Sequence, residues 1–289
     1  MKSRDRILVI LNPAARGERA RRLADRIEAL SPRIRIRLTE SQGDAGSMAR
    51  SAVRHGCRTV VAAGGDGTVN EVVNGIAGTD TAFGILPVGT MNVFATELGI
   101  PQGDLKKAWE VIEKSRIREI DLPSANGSHF VQLAGVGLDA EVVKQTTPDS
   151  KKTLGPLSYL LTLAQVAASH PPNISIRAEG RRKSEGSFVL IGNGRHYGGP
   201  FVLFKNASME DGLLDVLVFR NQSHWDILRY LQAIAFGAHP ELHDVDYFQT
   251  RSLSLESDVP VPVELDGELV GTLPFTFGVS PAKLRVLAP

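Results

Sequence analysis

The chain of 289 residues contains one cysteine, Cys57. A lone thiol excludes an intramolecular disulfide and a cysteine-built zinc cage, and such sparing use suits a reducing cytoplasm. An excess of one charge is also missing: 33 basic residues stand against 32 acidic ones, for a formal net charge of +1. A nucleic-acid binder should carry a clear basic excess, so nucleic acid is not an expected partner. Long apolar runs are absent too. Ile7–Leu11 is too short for the core of a signal peptide and reads as a first strand. The longest stretch without Asp, Glu, Lys or Arg, Thr153–Ile176, is interrupted by Pro156, Pro171 and Pro172. Its apolar part, Leu157–Ala168, is about half of the ~20 residues that cross a bilayer. There is no internal repeat and no low-complexity tail. Hydrophobic content of 42% and charged content of 22% describe an ordinary globular protein, long enough for one large domain or two moderate ones.

What the chain does have is concentrated in Val60–Gly75, reading VVAAGGDGTVNEVVNG. Val60–Ala63 is an apolar run suited to a strand buried on both faces. Gly64-Gly65-Asp66-Gly67-Thr68 breaks it, and Val69, Val72, Val73 and Ile76 then recur at helical spacing. Glycines at such a strand–helix turn let the backbone approach a ligand, and the helix N-terminus offers unpaired N–H groups to an anion. Asp66 sits in the middle of this turn. A carboxylate beside a phosphate is repulsive unless a metal or a proton lies between them. The expectation is a nucleotide–phosphate site with Mg²⁺ close to Asp66, as in a kinase. An ordinary βα turn is the simpler alternative, but Thr68, Asn70 and Glu71 following the glycines favour the site.

The run G-G-D-G-T-x-N-E-V resembles the nucleotide-binding signature of the diacylglycerol kinase catalytic domain family, which includes sphingosine and ceramide kinases and soluble bacterial lipid kinases. The shorter G-G-D-G-T is shared with NAD kinases and, more loosely, with phosphofructokinases, so other segments must choose between them. Asn12-Pro13-Ala14-Ala15-Arg16-Gly17 resembles the family's N-P-x-x-G nucleotide loop, with Arg16 in place of a small residue. Arg16 either pairs with a phosphate or is solvated. Leu86–Gly99 is similar to the family's P-x-G-T-x-N-D-F-A segment, with Gly89 and Thr90 as phosphate donors next to Asn92. It departs from the pattern at Val93 and Thr96, where Asp and Arg are common. Further on, Gly135–Ala140 resembles G-x-G-F-D-A, with Leu138 for Phe. Asn193–Gly199 resembles N-x-x-x-Y-G-G, Asp211–Val216 matches D-G-x-L-D-V, and Asp266-Gly267-Glu268 matches D-G-E. This ordered series spans nearly the whole chain.

Periodicity predicts two kinds of architecture in sequence. The first third alternates strands (Arg6–Leu11, Ile34–Leu38, Thr59–Ala63, Phe83–Leu86) with helices (Glu18–Leu30, Gly46–Arg54, the helix after Thr68, Asn92–Leu98, Asp104–Lys114). Such alternation predicts a parallel α/β sheet with ligands at the carboxyl ends of its strands. The resemblance implies a phosphofructokinase- or NAD kinase-like version of that fold. Past Asp121, short strand-like runs dominate: His129–Ala134, Ile174–Ala178, Phe188–Ile191, Asp215–Phe219, Ser252–Leu255, Val261–Leu265, Phe275–Val279 and Leu284–Leu287. They predict a mainly antiparallel β-sandwich, with helices at Ala140–Gln145, Leu157–Ala168 and His224–Phe236. The boundary is expected within Ile120–Gly127, where Pro123, Asn126 and Gly127 read as a turn. This gives domains 1–122 and 123–289, with the last strand free to return to the first domain.

The resemblance implies transfer of the γ-phosphoryl group of ATP to a lipid hydroxyl, with ATP and Mg²⁺ as cofactors. It implies a nucleotide site built from Asn12, Pro13, Arg16, Gly17, Gly64, Gly65, Asp66, Gly67, Thr68, Asn70, Glu71, Gly89, Thr90, Asn92 and Glu268. Such chemistry needs a carboxylate within reach of the acceptor hydroxyl. Asp66 is assigned to the Mg²⁺–phosphate network and Asp266 is nominated as general base, with Asp139 as competitor. Asp139 could instead be an N-cap, and Asp266-Gly267 is equally good as a hairpin turn. His196 and Tyr197 read as structural. A structural Mg²⁺ held by Asp211 with the carbonyls of Ser208 and Leu213 competes with a plain Asp-Gly turn. A lipid acceptor implies a cytoplasmic protein that visits the membrane surface, and a homodimer is compatible with it. Leu157–Ala168, next to Lys151-Lys152, is a lid over the lipid site, a surface that touches the bilayer, or a core helix. Two other functions stay open: a kinase for a soluble acceptor such as NAD, and a catalytically inactive lipid-binding protein.

Overall fold

Strands buried on both faces and helices with one apolar stripe can only stack as layers, and the first half of the chain does so. The computed structural model describes residues 7–13, 17–114, 116–145, 171–198 and 201–289. Its opening elements are β1 (Ile7–Leu11), α1 (Glu18–Glu28), β2 (Ile34–Leu38), α2 (Asp44–Arg54), β3 (Thr59–Gly64), α3 (Asp66–Ile76), β4 (Ala82–Pro87), α4 (Val93–Glu97) and α5 (Leu105–Glu113). The strands lie in the order β2-β1-β3-β4, all parallel. Their carboxyl ends therefore bring Asn12, the Gly64 turn and the Val88–Gly89 turn to a single edge.

Helices α2 and α3 approach closely because small residues face each other. A methyl group on Gly75 would stand 2.6 Å from the Ala49 Cβ and 2.6 Å from the Gly46 carbonyl oxygen. Overpacking of this kind costs about 1–3 kcal/mol, against up to ~1 kcal/mol regained in helix propensity. Gly75→Ala is accordingly expected to lower the unfolding free energy by about 1–2 kcal/mol in urea titrations. An unchanged or higher midpoint would show that the two helices are free to separate.

The second half supplies β5 (Ile117–Ala125), β6 (Ser128–His129), β7 (Leu133–Val136), α6 (Leu138–Gln145), β8 (Ile174–Ala178), β9 (Ser184–Gly186) and β10 (Phe188–Gly192). Then come β11 (His196–Tyr197), β12 (Phe201–Val202), β13 (Leu214–Phe219), α7 (His224–Ala235), β14 (Val245–Thr250), β15 (Ser252–Glu256), β16 (Pro262–Leu265), β17 (Glu268–Thr272) and β18 (Phe275–Leu287). Six of these strands form an antiparallel sheet, β14-β13-β10-β7-β16-β17. β11 and β12 pair only with each other, and the others extend the first sheet. β18 pairs in parallel with β4 at Val286–Phe83 and antiparallel with β15 and β5, and the path continues through β8 to β9. The antiparallel end of that mixed sheet packs on the six-stranded sheet as a sandwich, with Phe130, Val136, Val189, Leu253, Leu255 and Phe277 in the core between them. On the outer face of the six-stranded sheet, Leu138 and Val142 of α6 and Ile227 and Tyr230 of α7 cover Phe188 and Phe219, whose rings stack at 4.4 Å. The chain thus has an N-terminal α/β unit with a mostly parallel sheet, followed by an antiparallel β-sandwich.

Several local expectations are corrected. The single strand expected over His129–Ala134 is broken between β6 and β7, because the N–H groups of Val131, Gln132 and Leu133 turn out of the ladder to a carboxylate described below. Pro123 does not end a strand. It stands inside β5 opposite Val279, where the β5–β18 ladder is irregular and a missing N–H is tolerated. The turn comes later, at Asn126 (φ 47) and Gly127 (φ 89). The two strands expected at Phe275–Val279 and Leu284–Leu287 are one strand, with a bulge between Val279 and Lys283. β5, β9, β11, β12, β14 and β17 were not expected. Leu157–Ala168 and Lys151-Lys152 lie outside the described residues. Among the described residues, no helix is long and apolar enough to cross a membrane.

Candidate active site

Two strand ends and the helix that follows the first of them build the centre of the site. Val88 and Gly89 N–H both donate to the Gly64 carbonyl, at 3.3 and 3.2 Å. The backbones come so close that a Cβ on Gly89 would stand 2.4 Å from the Gly65 Cα, and one on Gly64 would stand 2.5 Å from the Thr68 Oγ1. No other residue fits either place. Asn92, in the left-handed region (φ 49), closes the second loop on itself. Its Oδ1 accepts from Gly89 N–H at 3.1 Å and its Nδ2 donates to the Gly89 carbonyl at 2.9 Å. Thr90 is exposed beside it. From β1, Asn12 Nδ2 donates to Thr68 Oγ1 at 3.0 Å and Asn12 N–H to the Ala63 carbonyl at 2.9 Å. Pro13 follows, and Gly17 opens α1 with φ 74. Arg16 lies outside the described residues. The three loops therefore meet around the N-terminus of α3.

Asp66 is the first residue of α3. Its Oδ1 accepts a long hydrogen bond, 3.4 Å, from Phe94 N–H at the start of α4. Burial pushes its carboxyl up from the usual range, and the Asp266 charge adds to the rise, against the lowering effect of the Phe94 N–H. Asp266 reaches this cleft from the second half, at a two-residue hairpin between β16 and β17. With φ 49 at Asp266 and 85 at Gly267, it is the Asp-Gly form of a type I′ turn. The hairpin and the chemical reading of Asp266 were alternatives in the sequence; in the structure Asp266 is a turn residue whose charge acts on Asp66.

Four donors hold that carboxylate. Oδ2 accepts from Asn70 Nδ2 (2.7 Å) and Val131 N–H (2.8 Å), and Oδ1 from Gln132 N–H (2.9 Å) and Leu133 N–H (3.1 Å). Burial still pushes its pKa up, the four donors opposing. Asn70 and Asn74, one turn apart on α3, also donate to the His129 carbonyl at 3.1 and 2.9 Å. One face of α3 thus ties the two halves of the molecule together. Glu268 follows on β17, its Oε1 2.8 Å from where a Gly67 Cβ would be. Glu71 lines the same cleft as Glu268 and reaches α2. It accepts from the N–H groups of Gly43, Ala45 and Gly46, at 2.8, 3.0 and 3.4 Å, and so caps α2. Between α2, α3 and the hairpin lies a cleft of about 210 Å³, lined in part by Arg50, Asn70, His129 and Glu268.

On the opposite side of the hairpin, Asp139 of α6 accepts from the Tyr197 hydroxyl, and the buried Glu264 of β16 accepts from Gly267 N–H at 2.6 Å. Next to them, one oxygen of Glu97 on α4 accepts from Arg195 N–H, His196 N–H, His196 Nδ1 and Gln132 Nε2, at 2.8, 2.9, 2.6 and 3.0 Å. Glu97, Gln132, Asn74 and Glu264 were not singled out from the sequence. Only Gln132 and Glu264 had no signal at all: Glu97 lies in the P-x-G-T segment, and Asn74 is at i+4 from Asn70.

Among the described residues no cluster of three His, Cys, Asp or Glu side chains forms a ready-made metal site. Mg²⁺ bound with a triphosphate needs only one or two carboxylates from the protein. Two half-buried carboxylates, Asp66 and Asp266, close enough for the Asp266 charge to raise the proton affinity of Asp66, fit a cation placed beside them. Asp211, Ser208 and Leu213 lie elsewhere, in the turn before β13. Asp211 Oδ1 accepts from Leu213 N–H at 3.0 Å, and Ser208 Oγ from Glu210 N–H at 3.4 Å. The buried Asp215 carboxyl close by is pushed up by burial and, further, by the Asp211 charge, so oxygen donors and unbalanced negative charge also coincide there.

Comparison with known proteins bears on the whole length. Residues 6–125 match the family model described as diacylglycerol kinase catalytic domain. Residues 132–288 match the one described as YegS C-terminal NAD kinase beta sandwich-like domain. The chain is 31% identical over 255 residues to a protein of Bacillus subtilis (strain 168) named "Diacylglycerol kinase", covering 87% of this chain and 84% of that one. It is 34% identical over 301 residues to a Pseudomonas aeruginosa (strain UCBPP-PA14) protein named "Probable lipid kinase YegS-like", covering 99% and 95%. Its fold is similar to the crystal structure of a diacylglycerol kinase from Bacillus anthracis str. Sterne. There the TM-score is 0.80 at 26% identity, with 100% of this chain and 98% of that one covered.

Proposed function

Because this chain belongs to the diacylglycerol kinase catalytic domain family, we propose that it is an ATP-dependent lipid kinase that moves the γ-phosphoryl group to a lipid hydroxyl. The observation that carries this reading is the approach of Asp266 to Asp66 at the N-terminus of α3, where the Asn12, Gly64–Thr68 and Gly89–Asn92 loops also lie. Backbone N–H groups of the glycine loops, the α3 N-terminus and the hydroxyls of Thr68 and Thr90 suit a triphosphate. Asn12, Pro13 and Gly17 form the wall on the β1 side, Arg16 belongs to the same loop, and Glu268 borders Gly67. Asp66 would hold Mg²⁺, which supplies neutralisation of phosphate charge when bound. A second, structural Mg²⁺ is proposed at Asp211 and the carbonyls of Ser208 and Leu213.

Asp266 is the proposed general base. Burial raises its affinity for a proton, which suits a group that must accept one near neutral pH. All four of its lone-pair positions are occupied by donors, so proton transfer requires one donor to leave. Asn70 is the only side-chain donor among the four, and an acceptor hydroxyl could take its place. Asp139 is the competing base. Glu71 is proposed to act through α2 and not on the nucleotide, since three N–H groups engage it. The acceptor implies contact with a membrane surface from the cytoplasmic side.

The test is transfer of label from ATP in the presence of Mg²⁺, to diacylglycerol, a sphingoid base, ceramide, phosphatidylglycerol and NAD in parallel. Label in the organic phase is the expected result. Label on NAD would replace the lipid acceptor by a soluble one, and no transfer to any acceptor would leave a lipid-binding protein without kinase activity.

A further inference from the structure

The two glycine loops each run directly into a helix, and each helix grips the second half of the molecule. From α3, Asn70 and Asn74 do so through Asp266 and the His129 carbonyl. From α4 the grip is Glu97, which has no place in the chemistry above although its side chain is only 10% exposed. Its Oε2 accepts from four donors of the second half: Arg195 N–H (2.8 Å), His196 N–H (2.9 Å), His196 Nδ1 (2.6 Å) and Gln132 Nε2 (3.0 Å). Gln132 is the branch point. Its Nε2 also donates to the His196 carbonyl at 2.8 Å, and its amide lies over the bare Cα of Gly194, where a Cβ would stand 2.5 Å from Nε2. Its own N–H donates to Asp266 Oδ1 at 2.9 Å, between the Val131 and Leu133 N–H groups that hold the same carboxylate. A continuous path thus leads from the Asn92 loop through α4, Glu97 and Gln132 to Asp266. The five residues of α4 span about 7.5 Å, and Thr96 N–H donates to the Asn92 carbonyl at 3.0 Å, so Glu97 moves with the loop.

We propose that Glu97 is a positioning residue, which sets the Asp266 carboxylate against the Gly89–Asn92 phosphate loop through Gln132. Its role in turnover rests on the lipid-kinase reading; the bonds that carry it do not. A phosphate seated on the Asn92 loop and a hydroxyl at Asp266 are held by different halves of the chain, and a misplacement of about 1 Å between reacting groups costs on the order of 100-fold. The asparagines of α3 fix Asp266 against the Gly64–Thr68 loop, and Glu97 fixes it against the other loop. Glu97 acts through other residues: an oxygen that four donors engage neither takes the acceptor proton nor meets the phosphates. Its negative charge strengthens all four bonds, since hydrogen bonds to an ionised acceptor are about twice as strong as neutral ones.

The test compares the wild type with Glu97→Gln, Glu97→Ala, Gln132→Ala and the double variant of the two alanines, with lipid-kinase rates normalised to folded protein. Glu97→Ala should lower kcat on the order of 100-fold and leave KM for ATP within about 3-fold, because no phosphate donor is removed. Glu97→Gln keeps an acceptor oxygen without the charge, so its kcat should lie between those of Glu97→Ala and the wild type. On the Gln132→Ala background, Glu97→Ala should cost less than it does alone, since the path is already cut. Hydrogen exchange supplies a reading that a purely local role would not move. The Val131 and Leu133 N–H groups donate to Asp266 and not to Glu97, yet in Glu97→Ala they should exchange at least about 10-fold faster than in the wild type. Should Glu97→Ala fail to fold, Glu97→Gln and Gln132→Ala are read by the same rates and the same amides. Wild-type kcat, a loss confined to KM for ATP, or unchanged exchange at Val131 and Leu133 overturns the positioning role. Losses that simply multiply in the double variant overturn the path through Gln132. If the wild type phosphorylates no lipid, the kinase reading falls, and exchange at Val131 and Leu133 still decides whether Glu97 holds Asp266 in place.

Discussion

Asp66→Asn is expected to reduce turnover by about 1,000-fold or more while leaving a protein at least as stable as the wild type. The two halves of this result have one cause. Asp66 stands at the N-terminus of α3, where its Oδ1 accepts a long bond, 3.4 Å, from the Phe94 N–H. Burial and the Asp266 charge raise its pKa in the folded protein. A carboxyl whose folded pKa is raised contributes nothing adverse below its unfolded pKa and costs stability as pH rises above it. Removing the charge should therefore raise the melting temperature at neutral pH, and the gap between variant and wild type should close as pH falls below about 4. Sites that hold an ill-compensated charge for chemistry commonly show this exchange of stability for activity. Steady-state rates at saturating ATP, paired with melting curves at neutral and acid pH, check it. A folded variant with near-normal turnover removes Asp66 from the phosphate network.

Asp266→Asn should behave differently, although it too replaces one acid by its amide. Turnover is expected to fall by about 10³–10⁴-fold if Asp266 is the base. Here stability should fall as well, by about 1–3 kcal/mol. The donors at Val131, Gln132 and Leu133 are backbone groups in the break between β6 and β7, where the chain leaves its ladder for this carboxylate. An amide has one acceptor oxygen to offer them, and its NH₂ meets N–H groups head-on. Burial favours the neutral side chain, but one desolvated charge is outweighed by an orphaned Val131 N–H and a lost bond to Asn70, or by orphaned Gln132 and Leu133 N–H groups if the amide is turned over. Asn70→Ala removes a single donor and should cost less on both counts. Urea midpoints for the three proteins, with rates normalised to folded protein, separate the base from the clasp. If Asp266→Asn turns over like Asn70→Ala, Asp266 is only a clasp and Asp139 becomes the base to examine.

The legible part of the molecule is the part written in local patterns. The strand–glycine–helix order of Val60–Ile76 predicted β3, the turn and α3 with small errors in their bounds, because burial on both faces and a helical stripe are properties of neighbours in sequence. The same holds for the glycines, since close backbone approach leaves few alternatives at 64 and 89. What was not legible depends on partners far along the chain. Gln132 and Leu133 give no sign that their N–H groups answer a carboxylate more than 130 positions away. Glu264 alternates correctly for a strand, and nothing local distinguishes a buried acid from a solvated one. Pro123 read as a punctuation mark and proved to be a strand residue, because the irregular stretch of β18 that excuses its missing N–H is encoded around Ser280. Glu71, placed with the nucleotide by its neighbours in the motif, also accepts from the N–H groups that open α2, a partner that only helix phase selects.

One strand joins what the sequence keeps apart. β18 supplies a parallel neighbour to β4 and antiparallel ones to β5 and β15. On the ribosome, the segment that lays down β1 to β4 emerges long before this strand exists, and until then β4 has an open margin of unpaired amides and carbonyls. The earlier half must wait, incompletely knitted, for residues 275–287 to thread beside it. Synthesis from one end to the other therefore does not yield a finished nucleotide module followed by an appendage. Until β18 is inserted, β4 has only β3 beside it in the sheet.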